Sequence, residues 1–226
     1  MTIAFDVYGT LIDPLAIQHE LQSHVGQQNA SNFAKSWREK QLEYTFRRGL
    51  MRAYEEFPVC TRQALDYCCQ LYDCKLGENE RRAVMDCYRH LPAYEDVESC
   101  LQGLQDEDLR LFAFSNGVER DVRHLLEINE LEKYFEGIVS VDEVQSFKPD
   151  PEVYNHFISK TRSIAGETWL VSGNPFDILG ARAVGWNTAW LARSETALFD
   201  PWDQQADARI TSLLDLVAIV RRSSTV

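Results

Sequence analysis

Short, almost uninterrupted apolar runs alternate with amphipathic segments in the second half of the chain. Apolar runs of this kind predict buried β-strands, and the segments between them show the apolar spacing of helices. We expect strands at five runs: TIAF at the amino end, then LRLFAF, GIVSV, TWLVSG and NTAWLA. Because single helices separate these near-continuous apolar strands, the pattern predicts an α/β fold with a doubly wound parallel sheet.

Cap and turn residues set limits to the helices predicted in this half. Asp150 is expected to cap the helix PEVYNHFISKT, with Pro151 at its first position, because the fixed φ of proline suits that place. Gly185 is expected to end the helix PFDILGARAV. The stretch ARITS and a last helix, LLDLVAIVRR, close the chain.

The stretch between the first strand and the rest of the sheet has a different pattern. It shows helical spacing throughout and no clear strand, in four segments: PLAIQHELQSHV, ASNFAKSWREKQLEYTFRRGLM, TRQALDYCCQLYDC and NERRAVMDCYRH. Pro92 marks the return to alternating strands and helices. We therefore expect an inserted all-helical cap domain at residues 15–91. The Rossmann-like core domain is expected to consist of residues 1–14 and 92–226.

The bulk composition narrows the classes of function. The chain has 226 residues, 45% of them hydrophobic, and a formal net charge of −12 at pH 7. We expect no nucleic-acid binding from so acidic a chain, and an anionic substrate would need local cations and helix N-termini. No run approaches the roughly 18 apolar residues of a membrane span, and the amino end lacks a signal-peptide pattern, so no membrane partner is expected.

The cysteines lie in the middle of the chain without the paired spacing of a zinc site. They are Cys60, Cys68, Cys69, Cys74, Cys87 and Cys100. In a chain without an export signal, such cysteines are typically reduced thiols inside a cytoplasmic protein.

Four groups of polar residues follow predicted strands or open predicted helices. In a doubly wound sheet these positions lie near the carboxyl ends of the strands, where ligands bind. Each group alone has a simple structural explanation, such as a turn cap, a tight turn, a solvated lysine or a partner for a helix dipole. The order and spacing of all four are more informative. The groups are Asp6 with Tyr8 and Thr10; Ser115 with Asn116; Lys148; and Ser172 with Asn174 and Asp177.

Five stretches of the sequence carry a family pattern: FDVYGTL, WREKQLEYTFRRGLM, FSNG, SFKPDPEVY and SGNPFDILGARAVGW. With them the chain resembles the haloacid dehalogenase superfamily, and within it the L-2-haloacid dehalogenases. The motifs extend from Asp6 to Trp186 and include the cap. The resemblance implies hydrolysis of short-chain L-2-haloalkanoic acids to D-2-hydroxy acids, through an aspartyl ester on Asp6. It implies no cofactor and no metal, and its ligands are a small 2-haloacid and the released halide ion.

Tyr8 distinguishes this reaction from phosphoryl transfer. Phosphatases of the superfamily carry a second aspartate two residues after the nucleophile, as general acid, and usually further acids that hold Mg²⁺. Here Tyr8 occupies the first place, and the last motif is sparse in acids. Asp6 and Asp177 could in principle provide two carboxylates for a metal. The proton donor for an alkoxide leaving group is absent, and a halide leaving group needs none.

The residues around Asp6 are expected to assist the two chemical steps. Lys148 would keep Asp6 ionised, and Thr10 would orient it for in-line attack. Asp177 would orient or deprotonate the water that hydrolyses the ester. We expect assistance in this step from Ser172, Asn174 and Tyr154.

The remaining expectations concern the substrate. By resemblance, Arg38 and Asn116 cradle the halide. Arg38 also shares a helix face with Leu42 and Phe46, and a guanidinium in such a place either extends to water or is aimed into a site. Ser115 and nearby backbone N–H groups would hold the substrate carboxylate. An apolar pocket is expected from Tyr8, Leu42 and Phe176, whereas Phe46 is expected to pack in the core.

The chain departs from the family in its last motif and leaves rival functions open. Gly173 stands where a second serine is common, and Pro175-Phe176 where a small residue and tryptophan are common. The rivals are another hydrolase on the same machinery, acting on a C–N bond or as a Mg²⁺-dependent phosphatase, and a non-catalytic anion-binding protein. Because the family often pairs, we also expect a homodimer.

Overall fold

A parallel six-stranded sheet forms the centre of the molecule. The computed structural model describes residues 1–105 and 107–223. The strands lie in the order β3-β2-β1-β4-β5-β6, and every neighbouring pair is parallel. Their bounds are β1 Thr2–Asp6, β2 Arg110–Ser115, β3 Gly137–Ser140, β4 Thr168–Ser172, β5 Asn187–Leu191 and β6 Ala208–Ile210. The predicted doubly wound sheet is confirmed, and the stretch ARITS contributes its sixth strand.

The helices fall into two groups along the chain. Five of the α-helices lie between β1 and β2, and the first four are called here the helical insertion: α1 Gln18–Val25, α2 Gln27–Met51, α3 Phe57–Leu71 and α4 Glu78–Tyr88. The fifth, α5 Val97–Leu104, leads into β2, and the remaining helices connect or follow the later strands: α6 Glu119–Ile128, α7 Pro151–Thr161, α8 Pro175–Ala183 and α9 Leu214–Ser223. Asp150 caps α7 as predicted, because its carboxylate accepts a 3.0 Å hydrogen bond from the Glu152 backbone N–H.

Two local predictions differ from the structure. The segment PLAIQHELQSHV is helical only from Gln18, because Asp13 accepts a hydrogen bond from the Leu15 backbone N–H and sets a turn in the residues before the helix. Helix α5 was not among the expected elements, although its buried residues Val97, Cys100, Leu101 and Leu104 have the spacing of one helix face.

Strand order brings the amino end of the chain to the middle of the core. The apolar side chains Ile3, Ala4 and Phe5 of β1 are fully buried. Both faces of the sheet are covered by helices, which accounts for the near-continuous apolar strands. No helix among the described residues is both long enough and apolar enough to cross a bilayer.

Candidate active site

Three neighbouring strands present polar side chains at the same edge of the sheet. Asp6, Ser115 and Ser172 are the last residues of β1, β2 and β4, and β1 pairs with both of the others. The order of strands reverses between β1 and β4, where doubly wound sheets bind ligands. The structure therefore brings together the strand ends that the sequence indicated.

The two carboxylate oxygens of Asp6 have different surroundings. Oδ2 accepts hydrogen bonds from Thr10 Oγ1 at 2.8 Å, Asn174 Nδ2 at 2.7 Å and, more weakly, Ser172 Oγ at 3.4 Å. In the described part of the chain, Oδ1 receives a hydrogen bond only from Lys148 Nζ, at 3.1 Å. Oδ1 consequently keeps more lone-pair capacity for a new bond than Oδ2 does.

Lys148 lies between two buried carboxylates. Its Nζ atom is 3.1 Å from Asp6 Oδ1 and 2.8 Å from Asp177 Oδ2, and it also donates to the Phe114 carbonyl at 2.9 Å. The side chain is only 1% exposed, so its charge is poorly screened by water.

The donor set fits this ammonium better than it fits a magnesium ion. Mg²⁺ requires octahedral oxygen coordination at close range. No group of three or more acidic, histidine or cysteine side chains suited to a metal occurs within residues 1–105 and 107–223. Asp6 and Asp177, the two carboxylates considered as metal ligands, instead share the Lys148 ammonium.

Asp177 is fully buried at the start of α8 with both of its carboxylate oxygens hydrogen-bonded. Lys148 binds Oδ2, and the Tyr154 hydroxyl donates to Oδ1 at 2.8 Å. Burial raises the pKa of Asp177 to about 6; the Lys148 ammonium opposes the rise and the Asp6 carboxylate adds to it. A carboxyl group with this pKa can exchange a proton with water near neutral pH.

Two loops approach each other closely behind Asp6. A Cβ atom on Gly173 would lie 2.3 Å from the carbonyl oxygen of Gly9, which itself has a φ of +87°. A serine at position 173 therefore does not fit this arrangement. The close approach lets the Gly173 backbone N–H donate to Thr10 Oγ1 at 2.8 Å, which directs the Thr10 hydroxyl hydrogen towards Asp6.

Ser115 and Asn116 are held in defined orientations after β2. Ser115 Oγ accepts a 3.0 Å hydrogen bond from the Gly117 backbone N–H, so its own hydroxyl hydrogen remains available as a donor. Asn116 Oδ1 accepts a 2.9 Å bond from the Lys148 backbone N–H. This bond fixes the amide so that its NH₂ end is the one free to donate.

Arg38 joins the helical insertion to the loop that follows Asp6. Its Nη2 donates to the Tyr8 carbonyl at 3.1 Å, and its Nη1 donates to Gln41 Oε1 at 2.7 Å. Gln41 is completely buried and also binds the hydroxyls of Thr61 and Tyr88. Sequence reasoning missed Gln41; the signal available was an amide one helical turn after Arg38, within the stripe of residues that faces the core.

The three residues expected to form an apolar pocket lie in different places. Tyr8 is buried against Phe57 and Tyr88, with ring centroids 5.3 and 5.9 Å away. Phe176, in the first turn of α8, packs against Phe46 of α2. Leu42 is half-buried on α2, one turn beyond Arg38. The structure thus places Tyr8 in an aromatic wall and Phe176 at the contact between α2 and α8.

Comparison with known proteins gives concordant similarities. The family model for haloacid dehalogenase-like hydrolases matches residues 3–191. The chain is 31% identical to (S)-2-haloacid dehalogenase 2 of Pseudomonas sp. strain CBS-3, covering 98% of this chain and 96% of that one. It is likewise 31% identical to haloacetate dehalogenase H-2 of Moraxella sp. strain B, covering 96% of each chain.

A solved structure extends this likeness to three dimensions. The L-2-haloacid dehalogenase of Xanthobacter autotrophicus, with chloropropionic acid covalently bound, superimposes with a TM-score of 0.91 at 27% identity. The match covers 97% of this chain and 98% of that one. A family model that matches most of the chain, relatives aligned over nearly their whole length and a shared fold lead to one conclusion: the chain belongs to the haloacid dehalogenase-like hydrolases.

Proposed function

We propose that this protein hydrolyses L-2-haloalkanoic acids to D-2-hydroxy acids, without a metal, through an ester on Asp6. The observation that carries the proposal is the unequal bonding of the Asp6 carboxylate. Three side chains bind Oδ2, whereas Oδ1 is bound by Lys148. The relatives named above act on 2-haloacids and haloacetate, which agrees with a carboxylate that attacks carbon.

In the first step, Asp6 Oδ1 attacks C2 of the substrate from the side opposite the halogen. An O–C bond forms as the carbon–halogen bond breaks, and the halide leaves with the bonding electron pair. The configuration at C2 inverts once. Lys148 supports the ionised nucleophile, and the NH₂ of Asn116 with the guanidinium of Arg38 would receive the halide.

In the second step, water attacks Cγ of the Asp6 ester, and Asp177 takes its proton. Oδ2 has then become the ester carbonyl oxygen, so negative charge develops where Thr10, Asn174 and Ser172 already donate. Donors placed in advance at such an oxygen are an efficient form of transition-state stabilisation. On collapse of the intermediate the bond from Cγ to the C2 oxygen breaks, and this oxygen takes the proton held by Asp177. The other proton of the water is released, Asp6 returns to its carboxylate form, and the hydroxy acid leaves.

The substrate carboxylate would bind the hydroxyl of Ser115 and backbone N–H groups after Asp6. Tyr154 would keep Asp177 oriented through its 2.8 Å hydrogen bond. Tyr8 and Leu42 would border the substrate on the side of the helical insertion, with Phe176 opposite them. These assignments give each predicted site residue one role in the two steps.

We also propose that residues 15–91 act as a cap domain over a core domain of residues 1–14 and 92–226. Arg38 supports this division, because it reaches from α2 to the Tyr8 carbonyl of the core. Residence in the cytoplasm is supported by six free cysteines. A homodimer formed through the cap is supported by the exposed apolar side chains Tyr67 and Leu71 of α3; light scattering after size exclusion tests it.

Halide release from L- and D-2-chloropropionate in the presence of EDTA tests the function. The wild type should release chloride from the L enantiomer, and Asp6→Asn should not. The exposed Asp86 of α4 provides a matched control, because Asp86→Asn should retain full activity. After a single turnover in H₂¹⁸O, the label should enter Asp6. Hydrolysis of p-nitrophenyl phosphate with Mg²⁺, without chloride release from either enantiomer, would overturn the proposal.

A further inference from the structure

A large apolar cavity adjoins the candidate active site. It has a volume of about 840 Å³ and lies between the second half of α2, the loop around Lys148 and helix α8. Lys148 and Phe176 belong both to its wall and to the site described above. Cavities of this size typically hold ligands far larger than 2-chloropropionate, which has about six non-hydrogen atoms.

The site is closed on the side away from this cavity. Tyr8, Trp37, Phe57 and Tyr88 form a continuous set of ring contacts there, and each is less than 8% exposed. No methylene chain could enter such a wall without displacing packed aromatic rings. The side of Phe176 is different, because Phe176 also lines the cavity, whose wall includes the exposed side chains of Leu50 and Trp202.

Phe46 and Phe176 form the contact between the two sides of the cavity. Their rings meet edge to face with centroids 5.0 Å apart. Phe46 was expected in the core but is half-buried and lines the cavity. Rings in this position offer an apolar surface to a chain that extends from the reacting carbon.

We propose that the cavity binds the C2 substituent of the substrate, which makes 2-haloacids with long alkyl or arylalkyl substituents good substrates. The inference rests on the proposed dehalogenase function. The halogen and the carboxylate of the substrate have polar partners, and Asp6 occupies the direction of attack. The substituent on C2 is left with the side where Lys148 and Phe176 line the apolar cavity.

A series of L-2-bromoalkanoates from propionate to octanoate tests this binding site. Transfer of one methylene from water to an apolar site corresponds to a roughly fourfold gain. We expect kcat/KM to rise by about two- to fourfold per methylene over the first members of the series. A fall in kcat/KM from propionate to octanoate in the wild type would overturn the proposal.

Two variants narrow the cavity from different sides. A Cβ on Gly49 would be 3.8 Å from its nearest neighbours, so Gly49→Leu projects into the space between α2 and the Phe147 loop. Ala183 is exposed on α8 and lines the opposite wall, where Ala183→Phe fills the cavity. Each variant should lower the ratio of kcat/KM for 2-bromooctanoate to that for 2-bromopropionate by at least about tenfold.

The control is Gly166→Leu, where a Cβ has open space around it and no cavity wall is near. It should leave the ratio at the wild-type value. An unchanged ratio in both cavity variants would refute the binding site even when short substrates react normally. Failure of the proposed function is distinguished by the absence of bromide release from 2-bromopropionate by the wild type.

Discussion

The ammonium of Lys148 lies 2.8 Å from the carboxylate of Asp177, and both side chains are almost entirely excluded from solvent. The ammonium lies between the carboxylates of Asp177 and Asp6, which would otherwise face each other without a positive charge between them. Its contribution to the proposed reaction is electrostatic, because the ammonium favours the ionised form of Asp177 and lies 3.1 Å from Asp6 Oδ1. The pair also makes this part of the core sensitive to the loss of either partner.

Lys148→Met should therefore affect both activity and stability. The variant leaves Asp6 and Asp177 without the ammonium between them, and we expect halide release to fall by about 10²–10⁴-fold. The free energy of unfolding should fall by about 3–5 kcal/mol at pH 8, as for other buried pairs that lose one partner. The loss should be smaller at pH 5, where an unpaired carboxyl takes up a proton. Urea denaturation at the two pH values measures it.

Lys160→Met is the matched control for this lysine. Lys160 pairs with Glu143 at the surface, where an ion pair contributes about 0–1 kcal/mol. A loss of stability equal to that of Lys148→Met would contradict the assignment. In the double variant Lys148→Met/Asp177→Asn, removal of one unpaired charge should restore part of the lost stability.

The pKa of Asp177 predicts the pH dependence of ester hydrolysis. Burial raises this pKa to about 6, and only the ionised form can accept a proton from water. The ester removes the Asp6 charge, which adds to this rise, so the pKa of Asp177 should be lower in the ester than in the free enzyme. The rate should be constant above pH 7 and should fall as the pH drops below the pKa in the ester. An aspartate with its ordinary pKa of about 3.9 would keep nearly full activity to about pH 5 and about half of it at pH 4. Single-turnover decay of the ester between pH 4.5 and 8.5 gives the profile.

The variant Asp177→Asn should separate ester hydrolysis, the second step, from halide release, the first. The variant should still release one halide per site and then accumulate the Asp6 ester, visible as a mass increase of the intact protein. An ester that does not accumulate in the variant would assign the proton transfer to another group.

Gly180→Ala should disturb the orientation of Asp177 from outside the site. A Cβ at position 180 would lie 2.3 Å from the Tyr154 hydroxyl and 2.8 Å from Pro149, so Tyr154 must move. We expect a loss of about 1–3 kcal/mol in unfolding free energy. Ester hydrolysis should slow more than halide release does, because Tyr154 binds Asp177. Gly166→Ala, where a Cβ has no neighbour within 4 Å, should match the wild type in both measurements.

Gln41→Leu should weaken the binding of halide by Arg38. The substitution removes the acceptor for Arg38 Nη1 and leaves the buried hydroxyl of Tyr88 without the same partner. The cost should be about 1–3 kcal/mol in stability. Because the guanidinium loses its fixed orientation, chloride should inhibit the variant several-fold more weakly, while the pH profile of ester hydrolysis stays unchanged.

Gln63→Leu is the control for this positioning role. Gln63 also accepts a hydrogen bond from an arginine of α2, Arg48, but it lies at a partly exposed position away from Tyr8. Product inhibition by chloride should be the same as in the wild type. Equal inhibition constants in Gln41→Leu and the wild type would show that Gln41 serves packing alone.

The predictable part of the site follows from the topology. Parallel strands end at one edge of a sheet, so Asp6, Ser115 and Ser172 converge once the strands are recognised. The hydrogen bond from Thr10 to Asp6 is similarly local, because four residues separate them. Periodicity and chain order were sufficient for these features, and the same reasoning could have found α5.

The other features of the site depend on contacts between distant segments, which no local sequence pattern encodes. Gln41 meets Tyr88 across 47 positions of the chain, and the cavity beside Phe176 exists because α2 and α8 approach each other. Gly173 and Gly180 look like ordinary loop and helix residues until their distances to Gly9 and Tyr154 are known. Such features arise from the packing of distant segments, whose geometry is fixed only in the folded chain.

The central place of β1 also has a consequence for synthesis of the protein on the ribosome. Thr2 of β1 pairs with Arg110 of β2 on one side and with Thr168 of β4 on the other, so β1 is synthesised well before either strand that flanks it. The helices between β1 and β2 rely mainly on nearby residues and can form earlier, whereas pairing across such distances along the chain is slow. A nascent chain therefore carries Asp6, the proposed nucleophile, well before Asp177 has been synthesised, and the proposed reaction needs both residues.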